Sequence, residues 1–163
     1  MIVKLLDSSC NRKNFTCEEV SLTNYIREQA GQDVRKRLTA CFVSIDNDNN
    51  VIGYYTLSSE SLGRELIPDK YLKHLPQNYN APVILLGRLA RDLRLKGAGL
   101  GEYLLMDALF RSFKLSNESI GAMAVVVDPI NEKAIEFYGK YGFELLVDSG
   151  KMFLPMKVIG QLL

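Results

Sequence analysis

The stretch that decides the fold is residues 93–110, LRLKGAGLGEYLLMDALF. It places glycines at positions 97, 99 and 101, immediately before a long apolar run. A strand, a glycine loop and a helix N-terminus in this order gather backbone N–H groups and the positive end of the helix dipole, which favours a phosphate-bearing ligand. Because glycine has no side chain, such a ligand can approach the backbone closely. The alternative interpretation is a tight strand-to-helix connection that binds nothing.

Two common phosphate-binding patterns do not fit this loop. A P-loop requires Gly-x-x-x-x-Gly-Lys-Ser/Thr, and the sequence contains no such string. The dinucleotide pattern Gly-x-Gly-x-x-Gly also fails, because its third glycine would fall on Glu102 when counted from Gly97 and on Leu104 when counted from Gly99. If the loop binds a phosphate, the ligand therefore belongs to another phosphate-bearing class.

Strand patterns surround the loop. Alternating or continuous apolar runs predict strands at IVKLL (2–6), ACFVSI (40–45), VIGYYTLSS (51–59), VILLGRLA (83–90), AMAVVVD (122–128) and KMFLPMKV (151–158). The second and third should form an antiparallel hairpin around the polar turn DNDNN at 46–50. The run VILLGRLA is apolar on both faces, as expected of a central strand.

Helix patterns alternate with these strands. Thr16 and Glu19 have the spacing of a capping box, so a helix should follow them, and Gly31 is a plausible stop. Further helices are predicted within the proline-punctuated segment 65–82, from Leu100 to about Phe113, and from Asn131 to Gly142. This order predicts an α+β fold with helices on both faces of a central, mixed sheet, in one domain over residues 1–163.

Composition narrows the functional class. The chain has 163 residues, 47% of them hydrophobic, with 20 Lys and Arg against 19 Asp and Glu. A net charge of +1 is unlike that of a dedicated nucleic-acid binder, so an RNA or DNA partner would need a local basic patch. The sequence has no signal-peptide pattern and no apolar run of membrane-spanning length. Three cysteines without a C-x-x-C pair favour reduced thiols, a cytoplasmic location and no metal site.

The glycine loop resembles the acyl-coenzyme A pyrophosphate loop of the GNAT superfamily of N-acetyltransferases, Gln/Arg-x-x-Gly-x-Gly/Ala before a helix with a Leu-Leu pair. The run KGAGLG at 96–101, followed by LL at 104–105, matches it with lysine at the Gln/Arg position. A register that starts two residues earlier, at Arg94, also satisfies the pattern, but the leucine pair favours the later one. The resemblance implies that acetyl-CoA is bound by Lys96, Gly97, Ala98, Gly99, Leu100 and Gly101.

A second stretch, DPINEKAIEFYGKYGF at 128–143, resembles the superfamily motif Asn-x-x-Ala-x-x-x-Tyr-x-x-x-Gly-Phe. The resemblance implies that Tyr138 is the general acid that protonates the departing thiolate, and a phenol with a pKa near 10 suits that role. A core aromatic is the alternative interpretation. Phe137 packs mainly against its neighbours and is also a coenzyme-binding candidate, whereas Asn131 either contacts the pantetheine arm or caps its helix.

In the superfamily, the strand that matches LLGRLA splays away from its neighbour. The resemblance implies that the backbone at Leu89, Ala90 and Arg91 pairs with pantetheine, and that the N–H of Leu89 or Ala90 polarises the acetyl carbonyl. The implied mechanism is direct attack of a neutral amine on the thioester, without a covalent enzyme intermediate. His74 is the only histidine and lies in a charged stretch, which disfavours a hydrolase triad.

Over nearly the whole chain, the succession GQDVRKRLTACFV, VIGYYTLSS, VILLGRLARD and MAVVVD is similar to GNAT toxins of bacterial toxin-antitoxin pairs. These toxins acetylate the α-amino group of aminoacyl-tRNA, and their partner is usually a ribbon-helix-helix antitoxin with a disordered tail. Related proteins are often homodimers. Arg91 stands where the family is generally apolar, and the candidate tRNA contacts are Arg35, Lys36, Arg37 and Arg88.

Charge by itself supports a solvated basic face as well as it supports a tRNA track. Two further functions remain open at the level of sequence. One is acetylation of a small amine or a protein N-terminus, and the other is an inactive acetyl-CoA-binding module.

Overall fold

The computed structural model describes residues 2–146 and 148–163. Its strands are β1 (Val3–Leu5), β2 (Ala40–Ile45), β3 (Val51–Leu62), β4 (Ala81–Arg91), β5 (Ala124–Val127), β6 (Glu144–Leu145) and β7 (Met152–Pro155). Its helices are α1 (Val20–Asn24), a π-helical segment (Tyr25–Gln29), α2 (Ala30–Arg35), α3 (Asp69–Leu72), α4 (Leu100–Glu118), α5 (Glu132–Gly139) and α6 (Met156–Leu162). Short 3-10 turns lie at Arg64–Leu66 and Leu93–Leu95.

The strands form a seven-stranded sheet in the order β1-β2-β3-β4-β5-β7-β6. Strands β4 and β5 are parallel, whereas the pairs β1–β2, β2–β3, β5–β7 and β6–β7 are antiparallel. The β2–β3 hairpin forms as predicted, and Asp46 stabilises its turn by accepting hydrogen bonds from the N–H groups of Asp48 and Asn50 at 2.8 and 2.9 Å. The predicted mixed, mostly antiparallel sheet is confirmed.

The chain divides into two compact units, a first unit of Met1–Ser58 and Gly87–Ala108, and a second unit of Ser59–Leu86 and Leu109–Leu163. In the first unit, one apolar cluster joins the helical segment 20–35 to the sheet through Tyr25, Ile26, Cys41 and Tyr54. On the other sheet face, a Cβ on Gly53 would lie 2.8 Å from Leu104 of α4. Helices therefore cover both faces of the first unit's part of the sheet.

The core of the second unit contains β5, β7 and the segment that follows β3. Ala124, Val126 and Phe153 are buried with Leu62 and Ile67 in one cluster. Tyr71 of α3 packs against the Phe153 ring with centroids 5.6 Å apart. The proline-punctuated segment thus covers this part of the sheet, as a short helix and a loop.

The parallel pairing of β4 with β5 ends early. Its register runs from Ile84↔Val125 to Leu86↔Val127, where β5 ends. Strand β4 continues to Arg91. Leu89, Ala90 and Arg91 therefore lie beyond the pairing of these two strands, at the positions where the resemblance implies a splayed strand.

Three local predictions are wrong. Thr16 is not a helix cap: α1 begins at Val20, Glu19 occupies the N-cap position without a side-chain cap, and Thr16 Oγ1 instead accepts a hydrogen bond from Arg27 Nη2 at 2.8 Å. Gly31 does not end its helix, which continues to Arg35 and is followed by Arg37 at φ 60°. The last strand ends at Pro155, and α6 follows it.

Replacing Gly53 by alanine should destabilise the protein by about 2 kcal/mol, because the added methyl group meets the fully buried Leu104 and Leu100 and overpacks the contact with α4. Urea unfolding measures this change. Gly121→Ala is the control, since a Cβ at Gly121 has no neighbour within 4 Å. Equal stability of the two variants would contradict the close packing at Gly53.

Candidate active site

The glycine loop is open and has the backbone conformation that glycine permits. Gly97 and Gly99 have φ values of 82° and 80°, in the left-handed region that side chains disfavour. A Cβ on either residue would meet nothing within 4 Å. The backbone is therefore open to a ligand on this side.

The backbone donors of the loop divide into two groups. The first helical hydrogen bond of α4 runs from the Tyr103 N–H to the Gly99 carbonyl at 3.0 Å, so the N–H groups of Leu100, Gly101 and Glu102 have no partner within the helix. By contrast, the N–H groups of Ala98 and Lys96 donate to the carbonyls of Leu95 and Leu93 at 3.1 and 3.2 Å. Ala98 and Lys96 consequently shape the loop and offer no free backbone donor.

The buried carboxylate of Asp92 anchors the loop. Its Oδ1 accepts hydrogen bonds from the N–H and Nε of Arg94, both at 2.9 Å, and its Oδ2 accepts from Arg94 Nη2 and from the Thr16 N–H, both at 3.2 Å. The Leu93 N–H also donates to the Thr16 carbonyl at 2.9 Å. Burial alone would raise the pKa of Asp92, but these donors outweigh it and hold the pKa below its usual value. Asp92 thus fixes where the loop begins.

Sequence analysis missed Asp92. The available signal was an aspartate directly after a strand and two residues before an arginine, the spacing at which an Asp side chain accepts the N–H of residue i+2. Its other partner, Thr16, is far away in the chain, and local patterns do not reveal such a contact.

The basic residues around the loop have different partners. Arg91 donates to both carboxylate oxygens of Glu18 at 3.0 and 2.9 Å, and this pairing is the main reason that the pKa of Glu18 is lowered. Arg94 is paired with Asp92. Lys96 is exposed and forms no ion pair with any residue that the structure describes. The side chain of Lys96 is therefore available to a ligand phosphate.

Arg88, predicted as a tRNA contact, is half-buried. Its guanidinium carbon lies 3.5 Å from the centroid of the Tyr25 ring, within the range of a cation–π contact. Tyr25 in turn donates to Asp33 Oδ2 at 2.9 Å. Arg35, Lys36 and Arg37 are exposed at the end of α2. Arg88 is thus engaged by an aromatic ring, whereas the other three predicted contacts face solvent.

Tyr138 lies on α5 of the second unit and is 8% exposed. The rings of Phe137 and Phe143 meet it edge-on, each at a centroid distance of 5.3 Å. Burial raises the pKa of Tyr138 above its ordinary value, so the expectation of a pKa near 10 is wrong. The phenol therefore remains protonated across the physiological range.

Asn131 opens α5 as predicted, but the helix ends at Gly139 with Lys140 at the C-cap position, so the predicted end at Gly142 is wrong. The Asn131 side chain accepts the Ala134 N–H at 2.9 Å, which caps α5. Gly142 follows the helix at φ 95°. The structure thus supports the capping role of Asn131.

An ion-pair cluster that the sequence analysis missed lies beside the connection to α5. Lys151 Nζ contacts the two oxygens of Asp128 at 2.9 and 3.1 Å and Glu60 Oε1 at 3.7 Å. Burial would lower the pKa of Lys151, but the carboxylates outweigh it and raise the pKa. The charged lysine holds Asp128, the first residue after β5, where the chain turns towards α5.

The family model described as "Acetyltransferase (GNAT) family" matches residues 5–143. The chain belongs to the GNAT acetyltransferase family. The matched range includes both the glycine loop at 96–101 and helix α5.

The chain is also similar to individual members of this family, among them the following three. A "tRNA-acetylating toxin" of Mycobacterium tuberculosis (strain ATCC 25618 / H37Rv) is 36% identical over 81% of this chain and 77% of its own length. A structure of AtaT complexed with acetyl-methionyl-tRNAfMet superposes with a TM-score of 0.91, at 30% identity, over 99% of this chain and 98% of that one. A tyrosine-to-phenylalanine mutant of the toxin AtaT, bound to the C-terminus of the antitoxin AtaR and acetyl-CoA, superposes with a TM-score of 0.83, at 26% identity, over 99% and 96%.

Residues 2–146 and 148–163 contain neither a cluster of metal ligands nor a membrane-spanning helix. No three His, Cys, Asp or Glu side chains in these ranges gather as a metal site. None of the helices described there has the length and apolar content needed to cross a membrane.

Replacing Asp92 by asparagine should cost about 2 kcal/mol of unfolding free energy at pH 7, because charge-assisted hydrogen bonds are lost from a buried site. Since the folded-state pKa is lowered, this contribution is complete above the unfolded pKa of about 3.9 and disappears as the pH falls through the folded value. Urea unfolding at several pH values should therefore show a wild-type advantage that is constant near neutrality and shrinks below pH of about 4.

Asp48→Asn is the control for this comparison, because Asp48 is an exposed turn residue of the same unit. A difference between wild type and Asp92→Asn that does not change with pH would contradict the charged-anchor role.

Proposed function

We propose that this GNAT acetyltransferase transfers the acetyl group of acetyl-CoA to the α-amino group of aminoacyl-tRNA and thereby blocks translation as the toxin of a toxin-antitoxin pair. The observation that carries the proposal is the similarity, over 99% of the chain, to AtaT in complex with acetyl-methionyl-tRNAfMet. The 36% identity to a tRNA-acetylating toxin supports the same substrate class. Action on charged tRNA implies action in the cytoplasm.

The residues present fit acetyl-CoA, whose thioester supplies the activated acetyl group. The N–H groups of Leu100 and Gly101 at the start of α4, with the open backbone of Gly97 and Gly99, would hold the pyrophosphate. Lys96 adds a point charge to one coenzyme phosphate. Ala98 contributes by stabilising the turn through the hydrogen bond of its own N–H. Phe137 and Asn131 remain candidates for contacts with the pantetheine arm.

Strand β4 would bind the pantetheine arm by backbone pairing beyond Leu86, where its register with β5 ends. In this arrangement the N–H of Leu89 or Ala90 donates to the acetyl carbonyl and stabilises the negative charge that develops there. Arg91 takes part through its backbone, because its guanidinium is held by Glu18.

Tyr138 would protonate the departing sulfur. Two consequences of burial favour this role. The raised pKa keeps the hydroxyl in its donor form, and the edge-on rings of Phe137 and Phe143 keep its surroundings apolar. A thiolate that departs into the same apolar surroundings is also desolvated, which raises its own proton affinity and offsets the weaker acidity of the phenol. The incoming amine needs little assistance, since an α-amino group has a pKa of about 8 and is partly neutral at pH 7.

We further propose that residues 1–163 act as a single GNAT domain, and that an antitoxin occupies the protein when it is inactive. The structure of AtaT bound to the C-terminus of AtaR supports a protein partner. A ribbon-helix-helix antitoxin and a homodimer remain predictions. Purification of this chain with the product of a neighbouring short reading frame, followed by measurement of the mass of the complex, tests both.

Tyr138→Phe should lower the rate of acetyl transfer by about 10²- to 10⁴-fold, because it removes the general acid and keeps the ring. The acetyl-CoA affinity should stay within about twofold, since the phenol acts on the departing group and not on the pyrophosphate. The assay incubates the protein with radiolabelled acetyl-CoA and charged tRNA, and calorimetry measures coenzyme binding.

Tyr141→Phe is the matched control, since Tyr141 belongs to the same motif and its ring packs edge-on against Phe137 at a centroid distance of 5.5 Å. Absence of label on charged tRNA with the wild-type protein would refute the substrate assignment. Transfer to a small amine or to a peptide N-terminus in that case would favour the second candidate function, and failure with every acceptor would favour a binding module. Transfer by Tyr138→Phe at the wild-type rate would refute only the general-acid role.

Lys96→Ala should raise the dissociation constant of acetyl-CoA by about fivefold, the effect of one exposed charge pair of roughly 1 kcal/mol. The effect should diminish at high ionic strength because salt screens an exposed pair. Lys96→Arg should retain the affinity, and Lys114→Ala, an exposed lysine on α4, is the control. An unchanged affinity of Lys96→Ala would mean that the backbone donors suffice.

A further inference from the structure

Two arginines from separate parts of the first unit converge on the surface of α2 above Gly31. Arg12 Nη1 and Arg35 Nη1 each lie 3.3 Å from the position that a Cβ on Gly31 would occupy, and Arg12 Nη2 lies 3.8 Å from it. The two guanidiniums therefore meet over one bare patch of helix backbone. Arg12 is half-buried and Arg35 is exposed, so solvent reaches the pair.

In the described part of the chain, no carboxylate is paired with either of these two charges. Neither arginine makes an ion pair with any residue in the described ranges, and the hydrogen bond of Arg12 Nη1 to the Ile26 carbonyl at 3.4 Å supplies no negative charge. Asp33 on the same helix is already held by Tyr25 and Gln29. Two like charges at close range repel each other, so an anion between them relieves a cost that the protein otherwise bears.

Gly31 has a reason to be glycine at this point. It lies inside α2, where alanine would be more stable, and its φ is not in the left-handed region. A side chain at this position would press on both guanidiniums at 3.3 Å. Glycine therefore allows both guanidiniums to lie close to the helix backbone.

We propose that Arg12 and Arg35, over Gly31, form a binding site for one backbone phosphate of the RNA substrate. This inference rests on the proposed function and deepens it. Lys36 and Arg37 are exposed at the adjoining end of α2 and extend the positive surface beside the two arginines. Planar guanidiniums bind phosphate through paired N–H donors, and the two non-bridging oxygens of a phosphodiester offer acceptors to both guanidiniums at once.

The test measures binding of a fluorescein-labelled, uncharged elongator tRNA by anisotropy over a range of salt concentrations. The double variant Arg12→Gln, Arg35→Gln should lose roughly tenfold in affinity near 0.1 M salt, and the slope of log K against log salt should become shallower by about 1 to 2. Arg12→Lys with Arg35→Lys keeps both charges but loses the forks, and it should recover only part of the affinity. Lys157→Gln, an exposed lysine on α6, should bind as wild type.

Gly31→Ala provides a second, independent variant. It should weaken tRNA binding by several-fold while the melting temperature stays equal or rises, because helix propensity improves and only the two guanidiniums are displaced. This pair of readouts separates a binding defect from a folding defect if the double arginine variant proves unstable.

Three outcomes would overturn the proposal: unchanged affinity and salt slope in the double variant, an equal loss in Lys157→Gln, or wild-type tRNA binding combined with lost affinity for a synthetic acidic peptide. The last would assign the arginine pair to a protein partner. Acetyl transfer to charged tRNA is assayed separately. If the wild-type protein transfers acetyl to charged tRNA, and the arginine variants transfer and bind as well as wild type does, only this phosphate site is refuted. If the wild-type protein binds tRNA but transfers no acetyl group to it, only the proposed function is refuted.

Discussion

The buried carboxylate of Asp92 is the interaction on which the proposed coenzyme loop depends. It joins the end of β4 to the segment before α1 through Thr16, and to the first turn of the loop through Arg94. Both contacts set the position of the chain before it reaches Gly97. The N–H groups at the start of α4 therefore face a fixed direction, which a preorganised anion site requires because donors that must reorganise on binding contribute less.

The basic residues near the loop differ in whether a carboxylate neutralises them. Arg94 balances Asp92 and Arg91 balances Glu18, so neither guanidinium is free to bind phosphate. Lys96 next to the loop, and the arginine pair over Gly31, lack such partners among the described residues. A chain with a net charge of +1 can thus carry localised positive sites. What matters for an anionic substrate is which cations are left without a carboxylate, and only the folded structure decides this.

Burial has opposite chemical consequences at two groups. The Asp92 carboxylate is buried with four donors, and its pKa is lowered, so it stays charged and holds the loop. Tyr138 is buried beside the rings of Phe137 and Phe143, and burial raises the pKa of its hydroxyl, so the hydroxyl keeps its proton. Desolvation disfavours the charged form of both groups, and the number of hydrogen bonds to that form determines whether the group is charged or neutral.

The sequence by itself determined the features that arise from neighbouring residues: the glycines at positive φ, the β2–β3 hairpin, the Asn131 cap and the two motifs that identify the family. Tertiary structure decided the rest. Thr16 fails as a cap because Asp92 and Arg27 bind it, α2 continues past Gly31 to Arg35, and the partners of Arg88, Arg91 and Lys151 come from distant segments. Local signals depend on backbone geometry over a few residues, whereas a buried polar or charged group takes the partner that folding brings within hydrogen-bonding distance.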